Sequence, residues 1–193
     1  MYEYFIGKLA YKAPTHVVID VSGIGYYVHI SLYTFSQIKD QENCKLFISL
    51  QVREDSHTLY GFATEGEKKL FENLISVSGI GPNTGRMILS SNTPDEIQSA
   101  IVNGQVALIQ KIKGIGPKTA QRLILELQDK LKKQGFEALA SPIQSQSVPD
   151  EALSALVMLG FNKVAAEKVL NTILKTESNL SVEDMIKLAL KRL

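Results

Sequence analysis

Two similar sixteen-residue segments occur in this chain, and this repeat constrains the fold more than any other feature. LISVSGIGPNTGRMIL at Leu74–Leu89 aligns with IQKIKGIGPKTAQRLI at Ile109–Ile124, at a spacing of 35 residues. Each copy has an apolar helix end, then Gly-Ile-Gly-Pro, a polar pair and the start of a new helix. The repeat therefore predicts two helix–turn–helix units of the same design.

The glycines of each turn have separate physical roles. The first, Gly79 or Gly114, lets the chain reverse at the helix end in a conformation that disfavours a Cβ. The second, Gly81 or Gly116, leaves the backbone bare so that a ligand can approach closely. Proline then opens the next helix, where its missing N–H costs nothing. The isoleucine between the glycines can hold the turn in the core.

The start of each new helix is predicted to bind an anion. Its free N–H groups point outward with the positive end of the helix dipole, which favours phosphate. Such a site contacts the nucleic-acid backbone and not the base sequence. The side chains that can reach neighbouring phosphate oxygens are Asn83, Thr84 and Arg86 in the first copy, and Lys111, Lys113, Lys118, Thr119 and Arg122 in the second.

Charge agrees with this interpretation without establishing it. The net charge is only +1, yet Lys111–Lys133 holds seven basic residues against two acidic ones. A charge run on a helix is usually a solvated face, so its value depends on the motif beside it.

Other glycine motifs fit less well. Gly79–Gly85 has one residue too many for a dinucleotide-binding GxGxxG and follows a helix, not a strand. No glycine is followed at the right distance by the GK[ST] of a P-loop. Gly23–Gly25 repeats the Gly-Ile-Gly tripeptide between two strands and predicts only a hairpin turn.

The chain divides into segments of different composition. Residues 1–63 are predicted to form a small β-barrel, from the strand-like runs THVVIDV, YYVHISL, KLFISLQV and HTLYGF. Residues 64–134 are predicted to form a helical domain. Its apolar positions are Leu70, Phe71, Leu74 and Ile75 in one helix and Leu123, Ile124, Leu127 and Leu131 in another, with Thr93 as N-cap between them.

The last third combines a linker with a small bundle. Residues 135–149 are rich in Ser, Gln and Pro, which predicts a flexible linker. Residues 150–193 predict three short helices, with Asp150, Asn162 and Ser181 as N-caps. So small a bundle has a limited core, and a docking partner would be a natural use for its remaining apolar surface.

Several classes of protein are disfavoured. The hydrophobic content of 45% suits packed cores, and no apolar run is long enough to span a bilayer. The single cysteine, Cys44, excludes an internal disulfide and a cysteine-based zinc cluster. His16, His29 and His57 are isolated, and no nucleophile pattern is visible. We therefore expect a cytoplasmic protein without metal or cofactor.

The hairpin pattern resembles the helix-hairpin-helix DNA-binding family. The second copy fits well, whereas the first has Asn83 where a lysine is common. The order of segments further resembles the RuvA family of Holliday-junction-binding proteins. That resemblance covers nearly the whole chain and is most specific in FIGKL, VREDSHTLYGF and GIGPKTAQRLILEL.

The resemblance implies a multi-domain α+β fold. It has an N-terminal OB-like β-barrel, a central helical domain with two helix-hairpin-helix motifs, and a C-terminal three-helix bundle of the ubiquitin-associated type. It also implies a non-catalytic subunit that binds four-way junctions without sequence specificity and holds them open and planar. The implied assembly is a homotetramer or an octamer, and the implied partners are the RuvB hexameric ATPase, which drives branch migration, and the RuvC resolvase.

Two further sites come only from the resemblance. Glu54 and Asp55 match an acidic pin at the centre of the tetramer, although alone they would be the polar tip of a surface turn. The candidates for RuvB contact in the C-terminal bundle are Leu156, Leu159, Phe161 and Ile173.

Two alternatives remain open. A helix-hairpin-helix DNA glycosylase could use Lys118, but the nearest downstream aspartate, Asp129, falls within an amphipathic helix. A generic scaffold could bind duplex through the hairpins and a protein through its last domain. Such a scaffold would show no preference for junctions over linear duplex.

Overall fold

A computed structural model describes residues 1–38, 43–140, 148–176 and 180–193. The chain forms two compact units, residues 1–137 and residues 138–193. The barrel predicted for residues 1–63 and the helical domain predicted for residues 64–134 thus pack together in the first unit.

The first unit begins with a closed five-stranded barrel in the order β1-β2-β3-β5-β4. Strands β3 and β5 pair in parallel, and the other neighbouring strands described in the barrel are antiparallel. With a short helix between β3 and β4, this is the predicted OB-like barrel. Its elements are β1 (Tyr4–Ala13), β2 (His16–Val21), β3 (Ile24–Ile30), α1 (Leu32–Gln37), β4 (Asn43–Val52) and β5 (His57–Phe62).

The turn between β2 and β3 explains the extra Gly-Ile-Gly tripeptide. Ser22 and Gly23 both have positive φ, 55° and 89°, as in the primed turns that fit the twist of a hairpin. The Gly23 N–H donates to Asp20 Oδ1 at 2.7 Å. The hairpin predicted at Gly23–Gly25 is therefore confirmed, with Ser22 and Gly23 as its two turn residues and Ile24 and Gly25 in β3.

The helices of the first unit carry the repeat. They are α2 (Glu65–Ser76), α3 (Pro82–Ser91), α4 (Pro94–Val102), α5 (Val106–Gln110) and α6 (Pro117–Ala140). Thr93 caps α4, as predicted, and it also forms a capping box with Glu96. The predicted linker at residues 135–149 must be shortened, because α6 continues to Ala140 and the next helix begins at Val148. Residues 141–147 lie outside the described part of the chain.

A buried carboxylate joins the barrel to the helices. Glu67 of α2 is fully buried, and it accepts from Ser31 Oγ at 2.5 Å and from Thr34 Oγ1 at 2.6 Å, both on or next to α1. The Ala63 N–H donates to it at 3.3 Å. Burial raises the pKa of the Glu67 carboxyl, against the opposing effect of these hydrogen bonds. The contact fixes α2, and with it the first hairpin, on the barrel.

The second unit is a three-helix bundle of α7 (Val148–Met158), α8 (Lys163–Thr176) and α9 (Val182–Leu190). Asn162 and Ser181 cap α8 and α9, as predicted, through bonds to Val164 N–H at 2.9 Å and Asp184 N–H at 3.1 Å. Asp150 was predicted to cap α7 but lies in its first turn, because the helix begins two residues earlier.

No helix in the described ranges is both long and apolar enough to cross a membrane.

Candidate nucleic-acid interface

The first hairpin turn joins α2 to α3 and is held by short-range hydrogen bonds. The Val77 N–H donates to Leu74 O at 3.2 Å, and the Ile80 N–H donates to Val77 O at 3.0 Å. Gly79 has a φ of 94°, which L-residues rarely adopt. Val77 and Ile80 are buried in the helical core, so the turn is pinned as the sequence predicted.

The second hairpin turn, between α5 and α6, repeats this geometry. The Ile112 N–H donates to Ile109 O at 3.2 Å and the Ile115 N–H donates to Ile112 O at 3.1 Å. Gly114 has a φ of 90°. Ile115 is buried in the same core as its counterpart in the first hairpin. The sequence repeat is thus also a repeat of backbone conformation.

Each turn leaves the N-terminus of the following helix open. A Cβ added to Gly81 or Gly116 would meet nothing within 4 Å. Gly81 has no side chain to cap α3, and proline follows it. The next N–H groups, those of Asn83 and Thr84, have no partner within an α-helix at that position. The helix start can therefore donate main-chain hydrogen bonds to an oxyanion that approaches closely.

The two turns lie next to each other. A Cβ on Gly79 would lie 4.0 Å from the Thr119 side chain of the second hairpin. Arg122 Nη1 is 3.5 Å from the Ser78 carbonyl of the first hairpin, to which it donates. All four turn glycines are exposed. The two helix starts thus share one solvent-facing surface.

The side chains predicted to contact phosphate differ in their exposure to solvent. Thr84 and Thr119 are half-buried at the helix starts. Asn83 is exposed and its Oδ1 accepts from Tyr60 OH of the barrel at 3.3 Å. The exposed cations belong to the second hairpin: Lys111, Lys113, Lys118 and Arg122. Positive side chains therefore concentrate around the second turn.

Arg86 is placed differently from the other predicted phosphate-binding residues. Its Nη1 donates to the Thr15 carbonyl, in the turn between β1 and β2, at 2.9 Å. Its Nε is buried without a hydrogen-bond partner. The side chain therefore ties α3 to the barrel, because the guanidinium lies against backbone and does not extend freely into solvent.

The barrel adds residues next to this surface that sequence reasoning missed. Tyr27, His29 and Tyr60 continue from Asn83 across the outer face of the barrel. The signal available in the sequence was the alternation of Tyr27, Val28, His29 and Ile30, which predicts two rings on one face of a strand.

The acidic pair lies at the tip of the β4–β5 hairpin. The Arg53 N–H donates to Ser56 O at 2.8 Å, and Ser56 N–H donates back at 3.4 Å, which closes a tight turn. Glu54 and Asp55 between them are exposed. The two carboxylates thus project from one end of the barrel.

The residues predicted for partner contact in the C-terminal bundle do not form one surface. Leu156 and Ile173 are fully buried, each 0% exposed, so they pack the core and cannot contact a partner unless the bundle opens. Leu159 is 61% exposed and Phe161 is half-buried. Met158, which was not among the predicted residues, is 88% exposed. The most exposed apolar side chains of the bundle are thus Met158 and Leu159 at the end of α7 and Val164, also 61% exposed, at the start of α8.

Lys118 and Asp129, the pair considered for a glycosylase, lie far apart on one helix. Asp129 lies on α6 eleven residues beyond Lys118, about 16 Å along the helix at 1.5 Å per residue. That separation does not suit the lysine–aspartate pair of a glycosylase. Within the described ranges, no group of three or more His, Cys, Asp or Glu side chains could hold a metal ion.

Three family models match successive parts of the chain. The RuvA N-terminal domain matches residues 1–61, the SAM-like helix-hairpin-helix tandem matches residues 71–129, and the RuvA C-terminal domain matches residues 147–193. These matches follow the barrel, the two hairpins and the three-helix bundle in order.

Curated relatives match over their whole length. The chain is 52% identical to the Holliday junction branch migration complex subunit RuvA of Cytophaga hutchinsonii over 197 residues, 99% of each chain. It is 51% identical to the protein of the same name from Christiangramia forsetii over 193 residues, all of both chains. For Bacteroides thetaiotaomicron the identity is 48%, again over all of both chains.

Proposed function

This chain belongs to the RuvA family, and on that premise we propose that it binds Holliday junctions without sequence specificity. It holds the junction open and planar and recruits the RuvB hexameric ATPase for branch migration in recombination and repair. One observation carries the proposal. Two exposed glycine turns lie side by side, and each opens a helix whose first N–H groups face solvent.

The mode of binding follows from the groups that each turn offers. Main-chain N–H groups donate to phosphate oxygens, which are the same at every base pair, so binding is independent of sequence. Lys118 and its basic neighbours around the second turn add charge neutralisation. Each phosphate neutralised on duplex DNA contributes about −0.9 to the slope of log affinity against log salt.

In the proposed complex, copies of this chain assemble around the junction and a separate protein is the motor. A homotetramer, or two tetramers forming an octamer, surrounds the junction in the cytoplasm, and RuvC is a further member of the complex. The ATP site belongs to RuvB, since this sequence has no P-loop motif. The end of α7, with Leu159 and Phe161, is the proposed RuvB contact, supported by its exposed apolar surface.

The acidic tip is proposed as the pin at the junction centre. In a fourfold assembly, four copies of Glu54 and Asp55 would place eight carboxylates near the crossover. Like charges facing phosphates repel them, which discourages collapse of the strands and keeps the arms apart.

Neutralising the pin should change migration more than binding. With Glu54→Gln and Asp55→Asn together, we expect junction affinity to be unchanged or higher, because repulsion of phosphates is relieved. Branch migration with RuvB should change in rate. A mobility-shift titration gives the first quantity, and a strand-exchange assay on a mobile junction gives the second. A large loss of junction affinity would contradict the pin role.

The test of the function itself is a comparison of DNA substrates. In the same salt, a four-way junction should bind at least about tenfold more tightly than a linear duplex of equal arm length, because an assembly can engage several arms at once. Equal affinities would leave only a generic duplex-binding scaffold. A duplex that contains a damaged base serves as the control for glycosylase activity, and no base release is expected.

A further inference from the structure

Five rings form a continuous row on the outer face of the barrel, beginning on β1 and ending beside the first hairpin. Neighbouring ring centroids are 5.3, 4.5, 5.1 and 5.6 Å apart, and the first two contacts are stacked. In order, the rings belong to Tyr11, His16, Tyr27, His29 and Tyr60.

The strand register explains why these rings meet. His16 pairs with His29, and Val18 pairs with both Tyr11 and Tyr27 across its two neighbouring strands. Opposite and diagonal neighbours on one face of a sheet lie within reach of aromatic side chains. Residues that alternate with them, such as Val17 and Val28, fill the barrel core. The row therefore lies outside the core of the barrel, and Tyr60 at its end is part of the helical core.

Exposure changes along the row. Tyr11 and Tyr27 are 54% and 51% exposed, whereas Tyr60 is only 5% exposed. Tyr60 packs on Phe71 of α2 at 5.2 Å and donates to Asn83 at the start of α3. The row thus leads from two half-exposed tyrosine rings, each with one face stacked on His16, to the first hairpin turn.

The exposed part of the row presents aromatic rings and little positive charge. Burial, then the nearby Arg86 guanidinium and His16, lower the pKa of His29 below its usual value of 6.5. His29 is therefore neutral at neutral pH. Arg86 itself is held against the Thr15 carbonyl beside the row.

We propose that the exposed rings of Tyr11 and Tyr27 stack against unpaired DNA bases, as a second binding surface continuous with the first hairpin. The inference rests on the proposed function, since unpaired bases arise where junction strands exchange partners. Aromatic rings on OB-like barrels suit this role, because every base has a π-face and stacking tolerates any sequence. A second copy of the chain is the competing occupant of the rings, and the test separates the two.

The test uses the full-length protein with Tyr11→Leu and Tyr27→Leu together. Leucine keeps apolar surface but removes the ring face. The probes are a fully paired four-way junction and the same junction with two unpaired 2-aminopurine nucleotides at the branch point. We expect the fully paired junction to bind the variant within about twofold of the wild type. The advantage given by the unpaired bases should fall about tenfold, from the stacking contribution of each base.

Three controls accompany the double variant. Tyr11→Phe with Tyr27→Phe should restore binding and quenching of 2-aminopurine fluorescence. Tyr4→Leu changes a tyrosine that is 49% exposed on the same barrel but outside the row, and should have no effect. Native mass in solution should be the same for all variants.

The outcomes separate this inference from the proposed function. Unchanged preference for the unpaired junction in the double leucine variant would overturn the stacking surface. A changed native mass would overturn it too, because the rings would then belong to a contact between subunits. If the wild type shows no preference for four-way junctions over duplex, the proposed function fails, whatever the tyrosine variants do.

Discussion

Replacing Gly81 and Gly116 together with alanine is expected to weaken junction binding about 100-fold or more while the chain stays folded. Neither glycine has a positive φ, and an added methyl group at either meets no other atom within 4 Å. The methyl group would instead occupy the space through which a phosphate reaches the helix start. Hydrogen bonds to a charged group contribute about 1.5–3 kcal/mol each, so losing one per turn gives this loss.

Two control variants accompany this prediction. One adds a methyl group at a glycine outside the turns, and the other removes a positive charge. Gly66→Ala lies in the first turn of α2, also in open space, and should bind as the wild type does. Lys118→Ala should lower the salt slope by about one, because it removes one phosphate contact. The double alanine variant removes no charge, so its slope should change little. Unaltered affinity in a folded double variant would show that these helix starts are not the phosphate sites.

Replacing Glu67 with alanine is expected to lower the free energy of unfolding of the first unit by about 3–5 kcal/mol. The change leaves the hydroxyls of Ser31 and Thr34 without this acceptor, whereas the Ala63 N–H keeps Thr34 Oγ1 as an acceptor at 3.1 Å. Each buried group that loses its partner costs about 1–3 kcal/mol. Tyrosine fluorescence during urea unfolding is a selective readout, because all seven tyrosines lie in residues 1–60. A decrease of less than about 1 kcal/mol in the free energy of unfolding would contradict the role of Glu67 in fixing α2 on the barrel.

Comparing the stability of Glu67→Gln with that of the wild type at different pH values tests the ionisation of the buried carboxyl. Because burial raises the folded-state pKa above the ordinary 4.5, the carboxyl contributes most to stability below pH 4.5. That contribution is lost as pH rises through the folded-state pKa. Glutamine does not ionise, so the stability of the variant relative to the wild type should rise with pH above 4.5. Urea unfolding at pH 4.5 and pH 8 measures this difference, and a fall with pH would contradict it.

The hairpins could be predicted because everything that determines them is local. Gly79 and Gly114 end helices, Pro82 and Pro117 begin them, and each turn bonds to carbonyls only three residues back. The Thr93 capping box and the Gly23 hairpin are local in the same sense. The second copy of the motif then supported the interpretation of the first.

Strand β1 and helix α1 were missed, and contacts with residues distant in sequence help to hold both. Gly7 weakens the strand pattern of β1, yet a Cβ there would lie 2.2 Å from the Asp20 carbonyl of β2. Closure of the barrel, which no local pattern reveals, thus requires glycine. Similarly, Ser31 and Thr34 of the α1 region bond to a carboxylate more than 30 residues away.

Three further placements differ from what the sequence predicted, each for its own reason. The Ser- and Gln-rich composition of the predicted linker begins only at Ser141, whereas the preceding residues include good helix formers that continue α6. Leu156 and Ile173 are apolar, and sequence alone does not say which apolar residues of a small bundle face inward. Arg86 was assigned from its place after the turn, but the acceptor it found is in the barrel.

The clamping of the two turns against each other has a consequence for what the protein can discriminate. Gly79 lies against Thr119, and Arg122 reaches the Ser78 carbonyl, so the distance between the two helix starts is fixed by the protein. In the proposed mode of binding, two phosphates held there would have to match that distance, and the separation of phosphates across a groove differs between B-form and A-form helices. The pair of turns would then select for groove width. Binding that does not depend on base sequence would still differ between B-form and A-form helices.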